Sequence, residues 1–257
     1  MRNLFCIVLF FSGSLLRAQT NWPFSVNNNA ALEQAFLGSC SNPAVFAEDK
    51  VSAGLLYLNR TASATINAGG FGVNLNHKHT NIGLQAWQRG TENLNRQQYQ
   101  LTLGKELSEK FSLGITAGIQ RINQSQNYGN LTQLTGGVFA SLEPIERFSA
   151  SAYWLGFAKN GTERNYEEAG LTATYLASKV AKISILMKTT PQWEPILGLS
   201  LSYTYKKSLI AQITVADSQE PLLLNLMIAK EQWAPFVQYR QHSSLGAGFA
   251  VGIQWSK

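Results

Sequence analysis

From about residue 50 to the C-terminus the chain repeats one pattern: apolar residues alternate with small or polar ones over roughly ten positions, and the pattern restarts about every 15 residues. The last segment states it most cleanly. Leu245, Ala247, Phe249, Val251, Ile253 and Trp255 fall on one face, and Gly246, Gly248, Ala250, Gly252 and Gln254 on the other. Successive side chains of a strand point to opposite faces, so such a segment has one apolar side and one small or polar side. Phe111, Leu113, Ile115, Ala117 and Ile119 oppose Ser112, Gly114, Thr116, Gly118 and Gln120 in the same way. So do Leu197, Leu199, Leu201, Tyr203 and Tyr205 against Gly198, Ser200, Ser202 and Thr204.

Fourteen segments are predicted as strands: 50–60, 63–77, 79–90, 97–107, 109–121, 130–142, 146–158, 167–177, 179–189, 193–205, 207–216, 221–230, 232–241 and 245–256. A soluble sandwich usually has about seven to nine strands. Strands of about ten residues, nearly all with an apolar face, fit a membrane barrel better. The expected fold is all-β, a transmembrane antiparallel barrel of about 14 strands preceded by a short helical or turn segment.

The links between segments support this. Leu107-Ser108-Glu109-Lys110, Glu143-Pro144-Ile145-Glu146, Ser178-Lys179, Lys206-Lys207 and Lys230-Glu231 are short. They alternate with mostly longer, polar links at 91–96, 123–130, 159–167, 216–220 and 241–244, with 190–192 as a short exception. Short turns at one end and long loops at the other are the habit of bacterial outer-membrane barrels, and both termini on the short-turn side require an even strand number. Trp87, Trp154, Trp193, Trp233 and Trp255, with Tyr99, Tyr153, Tyr175, Tyr203, Tyr205 and Tyr239, fall near segment ends, as interfacial aromatic girdles would.

Residues 1–18 read as a secretory signal, with Arg2 as the charge, Leu4 to Leu16 as the apolar core and Ala18 before the cut. That core is too short to span a bilayer as a helix, and no later stretch reaches 18 apolar residues. Residues 19–49 are expected to form a periplasmic segment or plug, and 50–257 the barrel. Ala30 to Gly38 has helix formers and a Gly stop, and Ser41-Asn42-Pro43-Ala44 follows as a turn.

Losing Arg2 and Arg17 lowers the formal charge from +6 to +4, too little to argue for nucleic acid. Charged residues are only 14%, and mean hydropathy is −0.09 because the two faces cancel. Cys6 leaves with the signal, so Cys40 has no internal disulfide partner.

Little in the chain suggests chemistry. His77 and His79 flank a turn around Lys78, where solvated side chains are the simpler reading than a metal pair. His242-Ser243-Ser244 places a base beside hydroxyls, but adjacency in sequence rarely gives nucleophile–base geometry. No catalytic, metal or cofactor site is expected, and the protein is read as a non-enzyme. Inward positions are dominated by Gly, Ser, Thr, Asn and Gln, which allow either close strand approach or a filled lumen.

Three features resemble the Bacteroidota outer-membrane barrels of the PorP/SprF type, associated with type IX secretion and gliding. They are the Ser41-Asn42-Pro43-Ala44 turn before the first strand, the Leu103-Gly104-Lys105-Glu106-Leu107-Ser108-Glu109-Lys110-Phe111-Ser112-Leu113-Gly114-Ile115 hairpin, and the general barrel layout with its signal ending in Ala-Gln. Fatty-acid-transporter-like barrels are similar in their early Asn-Pro-Ala and 14 strands. The chain departs from the PorP/SprF type after strand one, where Arg-x-Gln-Trp is replaced by Asn59-Arg60-Thr61, and in being shorter. The resemblance implies a non-enzymatic outer-membrane component that supports secretion or anchors surface proteins. Its partners would be the lipid bilayer and other secretion or surface proteins, with Asn42, Pro43 and Ala44 as partner-binding or plug residues. The alternatives are a passive or fatty-acid-transporter-like channel for small solutes and a surface adhesin using long loops.

The alternation makes the row Leu245, Phe249, Val251 and Ile253 face lipid. Phe249→Arg is therefore expected to cost roughly 2–4 kcal/mol of insertion free energy, and Gly248→Ser much less. Equal yields of membrane-inserted protein for both variants would reverse the assignment of faces.

Overall fold

A computed structural model of the chain describes residues 42–44, 50–59, 67–91, 94–124, 131–158, 166–190, 193–206, 208–218, 221–243 and 246–257. The expected signal and the helix over 30–38 lie outside the described residues. The strands are β1 Val51–Asn59, β2 Asn67–His77, β3 Thr80–Gly90, β4 Leu94–Ser108, β5 Phe111–Gln124, β6 Leu131–Ile145 and β7 Phe148–Ala158. They continue as β8 Tyr166–Ser178, β9 Ala181–Thr190, β10 Trp193–Tyr205, β11 Leu209–Ala216, β12 Leu222–Ile228, β13 Trp233–His242 and β14 Gly246–Ser256.

Every strand pairs antiparallel with the next, and β1 closes onto β14 in register from Ser52 opposite Ser256 to Asn59 opposite Phe249. Val51 N donates to Lys257 O at 3.0 Å, and Lys257 N returns to Val51 O at 2.9 Å. No sheet edge remains, which is the only way a sheet can satisfy its backbone within hydrocarbon.

All fourteen predicted segments form strands. One boundary differs for a physical reason. Pro144, assigned by sequence to a link, lies inside β6, where the register against β7 shifts between Leu142 and Ile145. A residue without an N–H is tolerated at such an irregularity, so the turn moves on to Glu146-Arg147. The other short turns sit where expected, with Lys78, Lys206 and Glu231 in left-handed backbone at φ 53°, 47° and 52°. Tight hairpins need such φ values to match the twist of their strands.

The outer face is apolar and open, as at Phe249 and Val251, while Ser52, Asn74, Thr102 and Ser200 are buried on the inner face. A closed barrel with an apolar exterior and a polar interior belongs in the bacterial outer membrane. Among the described residues no helix is long and apolar enough to cross a membrane.

Two aromatics assigned by sequence to the outer girdle point inward instead. Trp87 and Tyr153 are buried in the lumen, directly opposite Gly70 and Gly170. A Cβ at Gly70 would lie 2.6 Å from the Trp87 ring, and one at Gly170 2.2 Å from that of Tyr153. The missing side chain opposite is what leaves room for each ring. Tyr99, Trp154, Tyr175, Tyr203, Tyr205 and Trp233 remain exposed on the outside.

Phe236 lies opposite Gly252 in the same manner, and a Cβ there would sit 2.4 Å from the ring and 2.6 Å from the Leu55 carbonyl oxygen. Gly252→Val should destabilise the barrel by about 1–3 kcal/mol in detergent-micelle urea titrations. Adding Phe236→Ala should recover part of that loss, because the ring can be removed but the Leu55 backbone cannot.

Candidate functional site

The interior carries three features: a docked turn at the short-turn end, a buried ion pair, and an oblique apolar track. The turn is Asn42-Pro43-Ala44, all three residues buried against the inner wall. Asn42 Oδ1 accepts from Ala44 N at 3.1 Å, so the side chain shapes the turn that Pro43 stiffens. Asn81 of β3 donates its Nδ2 to Pro43 O at 3.1 Å, and the Ser112 hydroxyl of β5 donates to Ala44 O.

Two glycines make the seat. Gly104 and Gly114 are opposite one another on β4 and β5. A Cβ at Gly104 would lie 1.8 Å from Pro43 O, and one at Gly114 2.6 Å from Pro43 Cγ. Any side chain at Gly104 would displace the turn. The sequence singled out the turn and the 103–115 hairpin as separate resemblances, and the structure brings them into contact. Gly104 and Gly114 were missed as a seat. The available signal was an inward glycine on each arm at matched distance from one short turn.

Ala44 packs on Phe139 and Tyr153, whose rings stack with centroids 5.9 Å apart. The Tyr153 hydroxyl donates to Glu168 Oε1 at 2.9 Å, and Glu168 Oε2 is 2.6 Å from Lys188 Nζ. Both charged side chains are buried, 2% and 7% exposed, so each depends on the other for the hydration it has lost. Neither residue stands out in the sequence. Their only signature was a charge at an inward position among small residues.

The rest of the β4–β11 interior is a polar lattice. Thr174 and Ser184 hydroxyls are 3.0 Å apart, and Ser200 Oγ is bonded by Gln212 Nε2 at 2.8 Å and by Thr214 at 3.0 Å. The opposite sector is different. Trp87, Gly70, Leu56, Gly252, Phe236, Met227 and Ile210 are consecutive cross-strand partners from β3 through β2, β1, β14, β13 and β12 to β11. Partners lie perpendicular to strands that tilt by about 35–45° in such barrels, so this line climbs the lumen obliquely. Leu58, Ala68 and Ala250 widen it into one buried apolar cluster. On the other side of the same strands a depression of about 1360 Å³ is lined by the outward Leu55, Tyr57, Phe71, Tyr99, Val251 and Ile253, and the glycines at 70 and 252 bring it up to Leu56 and Trp87. Inward polarity is thus confined to part of the wall, and the reading of inward positions as dominated by small and polar residues did not single out this stripe.

The histidines stay apart. His79 is exposed in the β2–β3 turn with Nδ1 2.7 Å from Glu106 Oε2, and His242 is buried at the end of β13. Among the described residues no group of three potential metal ligands forms.

No family model matches the chain, and no curated protein matches it in sequence. Solved structures do match in fold. The Pseudomonas putida toluene transporter TodX aligns with a TM-score of 0.59 at 9% identity, covering 87% of this chain and 93% of that one. The Ralstonia pickettii toluene transporter TbuX gives 0.60 at 9% identity, covering 86% and 93%. The CymD monoaromatic hydrocarbon channel gives 0.61 at 9% identity, covering 91% and 94%. At these identities the likeness is one of fold, an outer-membrane-type barrel.

Removing one partner of a buried pair strands the other charge. Lys188→Met should cost roughly 3–5 kcal/mol, and Glu168→Gln with Lys188→Met markedly less, as read from denaturant midpoints in micelles. Equal losses for the single and double variants would show that the pair is not acting as a unit.

Proposed function

We propose that the chain is a passive outer-membrane channel for small apolar or amphipathic solutes, closed on its periplasmic side by the turn at Asn42, Pro43 and Ala44. The observation that carries this reading is the apolar track from Trp87 to Ile210, which faces the lumen beside a polar lattice. A solute with an apolar body and a polar tip could keep each part on a matching wall as it moves. Binding sites for such molecules combine an apolar lining with a few placed polar groups. The barrels named above are titled as transporters or channels for toluene and other monoaromatic hydrocarbons, and they lean the same way.

The secretion or gliding role implied by the PorP/SprF resemblance rests on two short stretches, and those stretches have a local task in the barrel, since one seats the other. The channel reading therefore stands ahead of it. The turn acts as the gate because its carbonyls are held by side chains of the wall while glycines give it space.

Planar-bilayer conductance and toluene influx into liposomes test both halves. The intact protein should show little steady conductance, while Gly104→Val and a form lacking residues 20–44 should open stepwise currents and speed influx. A wide, ungated pore unchanged by either alteration would remove the gate. Absence of influx in all three forms would remove the channel.

A further inference from the structure

The short-turn rim of the barrel is divided by charge. Around β4–β7 the turns and the strand ends beside them mix signs, with Glu109, Glu143 and Glu146 beside Lys110 and Arg147. Around β8–β13 the charged residues of the described turns are Lys179, Lys206 and Lys230, with Glu231 as the one acid among them. These three turns follow one another at two-strand intervals, about 10 Å apart, so neighbouring lysines can reach one anion between them.

Directly beside this basic sector the outer wall is grooved. Ala181, Tyr203, Ala211, Leu226 and Val237 are consecutive cross-strand partners, and the alanines, with Ala177, leave a depression of about 660 Å³ between larger neighbours. Its lining is almost wholly apolar and faces the membrane. Ala177 and Ala181 flank the turn that carries Lys179, so one end of the groove opens at the basic rim. Lys206 sits over the Tyr205 ring with Nζ 5.2 Å from its centroid, placing that ammonium beside the aromatic girdle, at headgroup level.

We propose that this sector binds an anionic phospholipid of the periplasmic leaflet. Its acyl chains lie in the groove over Ala181 and Ala211, and its phosphate is held by Lys179, Lys206 and Lys230. Charge complementarity selects the headgroup, and the groove selects a lipid over a soluble anion. The site lies on the outer wall and does not depend on whether the lumen conducts.

Native mass spectrometry of the whole protein, extracted from vesicles of phosphatidylglycerol and phosphatidylethanolamine in equal parts, tests it. Phosphatidylglycerol should be retained preferentially, and each Lys→Gln change at 179, 206 or 230 should weaken retention about fivefold. Ala211→Phe, which fills the groove and leaves the charges, should also release it, while Lys110→Gln in the mixed sector should not. Raising the salt on the unmodified protein should release the lipid as well, a readout that needs no variant to fold. Equal retention of the two lipids, indifference to salt, retention by the triple variant, or a second copy of the chain in place of the lipid would each overturn the proposal.

Discussion

A chain in hydrocarbon finds no water for its N–H and C=O groups, and each one left unpaired costs several kcal/mol. Everything else in this barrel is arranged around meeting that demand. The pairing of β1 with β14 is the decisive contact, because without it two edges of a fourteen-strand sheet would face lipid. Those two strands hold Leu55, Tyr57, Phe249 and Val251 outward and Ser52 and Gln254 inward. A slip of one residue would turn every one of them to the wrong solvent, so closure and register are fixed together.

Closure also sets how the interior can be filled. A barrel has a limited cross-section, and rings fit inside only where the facing strand gives way. Glycine opposite Trp87, Tyr153 and Phe236 does that for aromatic side chains, and glycine at 104 and 114 does it for a stretch of backbone. The same device therefore builds the apolar track on one wall and the seat of the docked turn on the other. The ion pair of Glu168 and Lys188 lies between, tied to the seat through Tyr153.

Alternation with period two made the strands, their faces and their even number legible from residues alone, because lipid on one side leaves few exceptions to the rule. The alternation of short and long links marked which end of the barrel carries the tight turns. What stayed illegible was depth and partnership within the lumen. Trp87 and Tyr153 read as girdle residues because a ring near a strand end ordinarily sits at the interface, and only the register reveals the glycines facing them. Asn42, Pro43 and Ala44 were recognisable as a turn, yet their seat needs residues as distant in the chain as Phe139 and Tyr153. Glu168 and Lys188 were invisible because nothing in either strand announces that two inward charges share a level.

The docked turn has a consequence for assembly. It precedes β1 in the chain, but the groups that receive it come from β3, β4, β5, β6 and β7. Its contacts span 38 residues to Asn81 and 68 to Ser112, so they form only after those hairpins exist. The turn thus arrives at its place after the middle of the wall has been laid down. An insertion machinery handling this protein must leave the short-turn mouth of the barrel accessible until the seventh strand is in place.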